Sequence, residues 1–292
     1  MLTAPFPYFG GKRRAASLIW GRLGDVPNYI EPFAGSCAVL LARPHEPKTE
    51  TINDIDGMVS NFWRALSFRP DELAHHANWP VNALDIVARN NYLYRHRMSI
   101  AAHLADDPEW CDPRLAGWWV NGISATIGLG GDGGAIQGIR TPHIGDKGMG
   151  VHALGFSGFE ALAKRMRRVR VCCGDWSAPL SFAATLSHWR TCGVLLDPPY
   201  DDGDRVYAND NRISSDVRAW CIEHGANERF RIALCGYEGE HDELESLGWD
   251  VVAWKANGGH GNRAQGQARE NKHRERIWFS PGCLRPSQGT LF

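Results

Sequence analysis

The sequence has no marked excess of either charge, no C-x-x-C cysteine pair and no long apolar run. Its 292 residues include 32 basic and 33 acidic side chains, so the formal net charge is −1. This balance excludes a bulk polycation, and a nucleic-acid partner would need a local basic patch. No apolar run reaches the ~18 residues of a membrane span, and the N-terminus lacks the apolar core of a signal peptide. We therefore expect a soluble, cytoplasmic protein with no membrane partner.

The eight cysteines include no C-x-x-C pair, and several lie inside apolar runs such as 169–173 and 231–237. This pattern favours buried free thiols in a reducing compartment over zinc sites or disulfides. We therefore expect no bound metal.

Short apolar runs alternate with amphipathic segments along most of the chain. Apolar residues at three-to-four spacing in 12–23 and 216–226 are typical of helices. Strands that alternate with helices predict an α/β fold with a mostly parallel sheet, covered on both faces. The last two strands are joined without a helical pattern, which predicts one antiparallel edge strand. The seven predicted strands are 28–33, 50–54, 169–173, 193–197, 231–237, 249–255 and 275–280.

One long stretch, residues 58–164, breaks this alternation. It begins with helical patterns and then enters a glycine-rich segment, 127–155, of the kind that is either mobile or in contact with a ligand. We predict that 58–164 is a mainly helical domain inserted into a sheet domain made of 1–57 and 165–292.

Three predicted strands end in turns that suit a nucleotide-like ligand. Glu31 closes the first strand, and the small residues of 33–36 let a ligand approach the backbone before a helix N-terminus. Asp54 ends the second strand, where a carboxylate can accept hydrogen bonds from ribose hydroxyls. Asp175 and Trp176 follow the third strand, where an indole can pack on a purine. Taken singly, an ordinary turn or a helix N-cap explains each of these equally well.

The fourth turn is more unusual, because Asp197 ends an apolar strand and is followed by Pro198, Pro199 and Tyr200. Neither proline can continue a sheet, since each lacks an N–H and fixes φ. A rigid carboxylate and a free proline carbonyl can accept both N–H groups of a planar amine, and Tyr200 can stack on its ring. A plain proline-rich turn is the alternative, but it leaves both prolines and the tyrosine unexplained together.

Five motifs in this order resemble the Dam-like (D12 class) N6-adenine-specific DNA methyltransferases, which use S-adenosylmethionine. They are PYFGGK (7–12), EPFAGSCAV (31–39), NDID (53–56), GDW (174–176) and DPPY (197–200). The resemblance implies a Rossmann-like methyltransferase sheet, with 58–164 as the target-recognition domain. The family's glycine turn usually reads F-x-G-x-G, whereas Cys37 stands at the second glycine here. Because a thiol is small, we expect cofactor binding to survive this change.

The resemblance also implies roles for particular residues. Asp54 would take the cofactor ribose, Ile55 and Trp176 would flank its adenine, and Asp175 would accept from its amino group. The catalytic residues would be Asp197, Pro198, Pro199 and Tyr200. The cofactor-binding residues would be Tyr8, Phe9, Gly10, Gly11, Lys12, Glu31, Pro32, Phe33, Ala34, Gly35, Ser36, Cys37, Asp54, Ile55, Asp175, Trp176 and Asp197.

Local basic segments supply the evidence for a nucleic-acid partner. Six basic and two acidic residues lie between Lys255 and Arg276, a net charge of +4, and 164–170 adds five positive charges. A solvated face is the alternative reading of either segment, whereas beside a flipped-base site phosphate contact is favoured. A homodimer on a palindromic site is compatible with this reading. The predicted DNA-binding residues are Lys12, Arg140, Lys147, Arg263, Arg269, Lys272 and Arg274.

The implied function is methyl transfer from S-adenosylmethionine to N6 of an adenine in double-stranded DNA. That adenine must leave the duplex to be reached. Methylation of cytosine N4 or of RNA adenine is the nearest alternative, although those families more often carry serine or asparagine at the position of Asp197. A DNA-binding module that has lost catalysis is the alternative from another class, and Cys37 is its only support.

Overall fold

The chain divides into two compact units in a computed structural model that describes residues 2–8, 11–107, 109–125, 159–181, 190–200, 210–254 and 274–285. The first unit contains Met1–Gly11, Gly35–Cys37 and Asn53–Asp175, and the second contains Lys12–Ala34, Ala38–Ile52 and Trp176–Phe292. Several predicted site residues lie outside the described residues, namely Phe9, Gly10, Arg140, Lys147, Arg263, Arg269 and Lys272.

The described strands form one seven-stranded sheet in the order β3-β2-β1-β4-β5-β7-β6. Neighbours among β1, β2, β4 and β5 pair in parallel, which confirms the predicted mixed α/β class with a mostly parallel sheet. All seven predicted strands are present, with bounds within two residues of those expected. The strands are β1 (Asn28–Glu31), β2 (Thr49–Asp54), β3 (Val169–Cys173), β4 (Cys192–Leu196), β5 (Phe230–Tyr237), β6 (Asp250–Ala253) and β7 (Glu275–Phe279).

The antiparallel strand is β7, and it lies between β5 and β6 rather than at the edge. The prediction of an antiparallel edge strand is therefore wrong about its position. The reason lies in the side chains, because Ile277, Trp278 and Phe279 are completely buried. The residues of β6, by contrast, are exposed or half-buried. Strand β7 thus places three large apolar side chains inside the fold, and β6 takes the edge, where one side faces no partner strand.

The second unit packs short helices around its strands. Its helices are α1 (Ala16–Leu23), α2 (Ala38–Leu41), α8 (Ala178–Ser181) and α9 (Asp210–His224). Helix α1 ends at Gly24, whose positive φ of 65° is a backbone angle that favours glycine. The Gly24 N–H donates to the Trp20 carbonyl. The Trp20 indole N–H donates to the Val39 carbonyl at 2.7 Å, which fastens α1 to α2. Buried side chains of β4 and β5 such as Val194, Leu196 and Leu234 form the core.

In the described part of the first unit, the regular structure is helical apart from β3 and the last two residues of β2. Its helices are α3 (Gly57–Phe68), α4 (Pro70–Ala77), α5 (Ala83–Asp106), α6 (Pro113–Ala125) and α7 (Phe159–Met166). Local signals start two of them, since Asp56 accepts from the Met58 N–H and Asn82 from the Leu84 N–H. Their apolar faces meet in an aromatic core around Phe6, whose ring centre lies 5.0 Å from that of Phe62. The helices predicted near the start of 58–164 are thus present, and the division of the chain at 58 and 164 stays a prediction.

Three further findings concern membrane-spanning helices, metal sites and cysteines. Within the part of the chain that the structure describes, no helix is both long and apolar enough to cross a membrane. The same residues contain no group of three or more His, Cys, Asp or Glu side chains arranged to hold a metal ion. All eight cysteines are free, five of them buried and three half-buried, which confirms the prediction of free thiols.

Candidate active site

A cluster of polar side chains lies at the carboxyl end of β4 in the second unit. This strand is buried throughout, and Asp197 follows it directly with a half-buried side chain. The Tyr200 hydroxyl donates to Asp197 Oδ1 at 2.9 Å, which closes the turn over Pro198 and Pro199. Two fixed φ angles and one side-chain hydrogen bond therefore hold the carboxylate in place.

A lysine from the N-terminal part of the second unit meets this carboxylate. Lys12 is 3% exposed, and its Nζ lies 2.9 Å from Asp197 Oδ1. The ammonium also lies 5.0 Å from the ring centre of Tyr200 and 5.7 Å from that of Trp254, both within cation–π range. Among the described residues, the side-chain contacts to the Asp197 carboxylate thus fall on Oδ1.

The charges in this cluster stabilise one another. Burial lowers the pKa of Lys12, but Asp197, Cys235 and Glu275 together raise it, so the net result is a pKa above its ordinary value. Burial and then the Asp197 charge raise the pKa of Tyr200 well above its ordinary value. At neutral pH the lysine is therefore an ammonium and the tyrosine keeps its proton, so both donate to Asp197.

Two more carboxyl groups lie close to this pair. Glu275, the first residue of β7, places Oε2 3.9 Å from Lys12 Nζ, and burial raises the pKa of Glu275 to about 7. Glu31 is 4% exposed and accepts a hydrogen bond from the Tyr29 hydroxyl at 3.0 Å. Burial raises the pKa of Glu31 to about 8, against the Tyr29 hydrogen bond, and the Asp197 charge adds to the rise.

Sequence reasoning missed Glu275, because its charge was counted within a basic surface segment. The sequence did contain a signal for its position, since Glu275 is the first residue of an apolar run that was predicted to be an antiparallel strand. Because β7 runs antiparallel to β5, its first residue lies beside the last residue of β5, at the end of the sheet where the parallel strands have their carboxyl ends.

The glycine turn belongs to the first unit and is built around Gly35, at φ 45°. The Gly35 N–H donates to Asp54 Oδ2 at 2.9 Å, and the Gly35 carbonyl accepts from the Trp63 indole at 2.9 Å. A Cβ at this position would lie 2.5 Å from Cδ1 of the Tyr8 ring, closer than any side chain tolerates. The turn therefore requires glycine here for both its backbone angle and its contact with Tyr8.

Asp54 connects this turn to the ends of two strands. Its Oδ1 accepts from the Asp56 N–H at 2.9 Å, and its carbonyl accepts from the Gly174 N–H at 3.3 Å. Burial raises the pKa of Asp54 to about 6, while the two backbone hydrogen bonds oppose the rise. The neighbouring Ile55 is 73% exposed, and Asp175 is also exposed. Three predicted residues, Asp54, Ile55 and Asp175, thus lie at neighbouring strand ends.

Cys37 has a left-handed backbone, with φ 52°, and is completely buried. This region of φ is costly for any residue with a Cβ. The position is the second glycine of the F-x-G-x-G turn, and its backbone conformation explains why glycine suits it. Cys37 nevertheless keeps the glycine-like conformation.

The remaining described residues from the predictions lie as follows. In the second unit, Phe33 stacks on Trp176 with ring centres 6.1 Å apart, and Pro32 and Ala34 are buried. Arg274 is exposed, with its guanidinium 5.2 Å from the ring centre of Tyr237. In the first unit, Ser36 is buried, and the Gly11 N–H donates to the Tyr8 carbonyl at 3.2 Å.

A mostly parallel α/β sheet with polar turns at its carboxyl edge is consistent with a methyltransferase fold. The model of the D12 class N6 adenine-specific DNA methyltransferase family matches residues 8–111 of this chain. The match contains residues 8–12 of the first motif and the whole of the second and third, and it confirms the resemblance to this family. The family consists of enzymes that methylate adenine in DNA, so the prediction of an adenine-specific DNA-methyltransferase is confirmed at the level of the family. A comparison with curated proteins found no match.

Proposed function

We propose that this chain transfers a methyl group from S-adenosylmethionine to N6 of an adenine flipped out of double-stranded DNA. The observation that carries the proposal is the Asp197 carboxylate at the end of β4, oriented by Tyr200 at 2.9 Å and by Lys12 at 2.9 Å. It combines a rigid acceptor, a proline carbonyl and an aromatic ring in one short turn.

The residues of the first unit fit a nucleoside-containing cofactor. The exposed Ile55 offers an apolar surface next to the Asp54 carboxylate. Each carboxylate oxygen has two lone pairs, so Asp54 can accept from ribose hydroxyls as well as from Gly35 and Asp56. When bound, S-adenosylmethionine supplies an electrophilic methyl group on a sulfonium. In this proposal Asp54 binds the ribose, and Asp175 accepts from the adenine amino group of the cofactor.

The second unit would handle the target amine. The lone pair of an adenine amine is delocalised into the ring, which makes the nitrogen a weak nucleophile. Asp197 and the Pro198 carbonyl would accept its two N–H groups and favour a tetrahedral nitrogen with a localised lone pair. Their contribution would be positioning and electrostatic stabilisation of the charge that develops on this nitrogen. Tyr200 would stack on the flipped base.

DNA contact is assigned to the basic segments. The exposed Arg274 and the predicted residues Arg263, Arg269 and Lys272 would contact phosphates. Residues 58–164 would read the target sequence as an inserted recognition domain. Within them, Arg89 is a weak candidate for reading bases. Its side chain is 12% exposed and its guanidinium lies 5.4 Å from the ring centre of Trp79. We further propose that the protein acts in the cytoplasm, where a duplex substrate is present.

The test is methylation of duplex DNA by the purified protein, with the modified nucleosides identified by mass spectrometry. The wild type should form N6-methyladenine and no N4-methylcytosine. Asp197→Asn, which keeps the size of the side chain, should lose about 100-fold or more in rate, the loss typical of removing one charge-stabilising group. Its affinity for S-adenosylmethionine should stay within about threefold, less than 1 kcal/mol.

Asp216→Ala is the matched control, because it removes an exposed aspartate of α9 whose side chain is 57% exposed. It should methylate like the wild type. Substantial N6-methyladenine formation by Asp197→Asn would refute the role given to Asp197, and N4-methylcytosine as the product would refute the proposed substrate.

A further inference from the structure

The Lys12 ammonium lies between two carboxylates, and only the first is part of the site proposed above. Its Nζ is 2.9 Å from Asp197 Oδ1 and 3.9 Å from Glu275 Oε2. Glu275 is 8% exposed, and its buried Oε2 has no hydrogen-bond partner among the residues that the structure describes. A buried carboxylate oxygen without a donor is unfavourable. This oxygen is therefore well suited to receive a donor that arrives in another state of the protein.

The sheet holds Glu275 firmly in this place. Because β7 runs antiparallel to β5, its first residue lies opposite the last residue of β5, with Glu275 paired to Tyr237. On the other side, the Trp254 N–H donates to the Glu275 carbonyl at 3.3 Å. The backbone of Glu275 thus lies opposite Tyr237 on one side and accepts a hydrogen bond on the other, and the end of the long Lys12 side chain is the part that can move.

The need for movement follows from the proposed function, on which this inference rests. There the Asp197 carboxylate accepts a hydrogen bond from the target amine, whose nitrogen becomes positive during the transfer. An ammonium held 2.9 Å from the same carboxylate repels the positive charge that develops on that nitrogen. A shift of about 1 Å would bring the ammonium within charge-assisted hydrogen-bond distance of Glu275.

We propose that Glu275 is a positioning residue, which takes the Lys12 ammonium from Asp197 when the target amine binds. Glu275 acts through Lys12 and does not touch the amine. The exchange leaves the Asp197 carboxylate to the amine. It also keeps the buried ammonium paired, which matters because an unpaired buried charge is strongly destabilising.

Two variants of Glu275 test this in single-turnover methylation of an adenine-containing duplex. Glu275→Gln keeps the shape and removes the charge, so the rate should fall about 100-fold, the loss that about 1 Å of misplacement produces. The Kd for S-adenosylmethionine and for DNA should stay within about twofold, because the exchange takes place when the target amine enters the site, after the duplex has bound through its phosphates. Glu275→Asp retains a carboxylate and should recover most of the rate.

The matched control is Glu238→Gln. Glu238 is an exposed glutamate just beyond β5 that pairs with Arg276 at 2.6 Å. It should leave the rate unchanged.

The pH profile supplies a readout that a purely structural role would not change. The rate of the wild type should rise as Glu275 ionises near its pKa of about 7, and Glu275→Gln should lack this rise. Glu31→Gln should keep it, although Glu31 titrates near 8 and is close enough to Asp197 to affect the same profile. The charged and titratable groups that face Glu275 or adjoin it are Lys12, Asp197, Tyr200, Cys235, Tyr237, Arg274 and Arg276.

The outcomes separate this inference from the function beneath it. If the wild type forms no N6-methyladenine, the proposed function fails. If the wild type methylates adenine but Glu275→Gln matches Glu238→Gln in rate and pH profile, the inference fails and the function stands. Glu275→Gln could instead have a lower rate together with a lower melting temperature and weaker binding of both S-adenosylmethionine and DNA. If Glu275→Asp then does not recover the rate, Glu275 is only structural and the inference is overturned.

Discussion

Replacing Cys37 by glycine should be far less harmful than replacing another buried cysteine in the same way. Cys37 has φ 52° and no exposed surface. Cys221 is equally buried, but it lies in α9 with ordinary helical geometry. The two sites therefore differ mainly in the backbone angle, and each can be changed first to alanine and then to glycine.

The magnitudes follow from burial and backbone geometry. Cysteine to alanine removes one buried heavy atom at either site, a loss of about 1 kcal/mol. Alanine to glycine at Cys221 should cost about 2 kcal/mol more, from the lost Cβ contact and the low helix propensity of glycine. At Cys37 the same step relieves a left-handed strain of about 1–2 kcal/mol. We therefore expect Cys37→Gly to lie within about 1 kcal/mol of Cys37→Ala.

Urea denaturation of the four variants measures these differences, and calorimetry adds the affinity for S-adenosylmethionine. Because the backbone already has the conformation that glycine prefers, Cys37→Gly should bind the cofactor within about threefold of the wild type, less than 1 kcal/mol. If the alanine-to-glycine step is as costly at Cys37 as at Cys221, the left-handed angle is not a source of strain and the reasoning is wrong.

Two further predictions concern buried carboxyl groups. Asp54→Ala should reduce cofactor affinity by about 1.5–3 kcal/mol and lower stability, since the Gly35 and Asp56 N–H groups lose their acceptor. Asp56→Ala, which removes only the α3 cap, should lower stability by about 1 kcal/mol and leave affinity intact; calorimetry with equal affinities for the two variants would contradict this. Burial raises the pKa of Glu31 to about 8, so the folded state favours the protonated form of this carboxyl. The free energy of unfolding therefore falls as the pH rises from about 4.5 through 8, where the buried group has to ionise. Glu31→Gln should remove that decline in thermal unfolding between pH 4 and 9, and an identical pH dependence in both proteins would argue against it.

Most elements of the fold could be predicted because their signals are local. The run from Cys192 to Leu196 is apolar without interruption, as a central strand requires, and the prolines after Asp197 mark where it stops. The helices around Asp56 and Asn82 begin at side chains that cap them. The matched residues 8–111 likewise contain motifs that can be read from short stretches.

The features that could not be predicted depend on residues far apart in the chain. Nothing near Lys12 indicates that its ammonium meets Asp197, or that Glu275 approaches it from the opposite side. The inner position of β7 depends on the burial of the large side chains of Ile277, Trp278 and Phe279, and not on its connection. The strand end at Asp54 was visible, whereas its hydrogen bond to Gly35 required the folded turn.

The carboxylate pair around Lys12 has a consequence for the order in which the second unit can form during synthesis. Lys12 and α1 leave the ribosome early, Asp197 follows later, and Glu275 arrives with β7 last of the three. At ~5–20 residues per second, roughly 10–50 seconds pass between Lys12 and Glu275. Until β7 pairs with β5, the lysine has only part of its final shell of negative charge, and burying its ammonium is correspondingly less favourable. The nascent chain can thus keep this lysine in water until β7 is made, so the cluster of Lys12, Asp197 and Glu275 closes as a late event of folding.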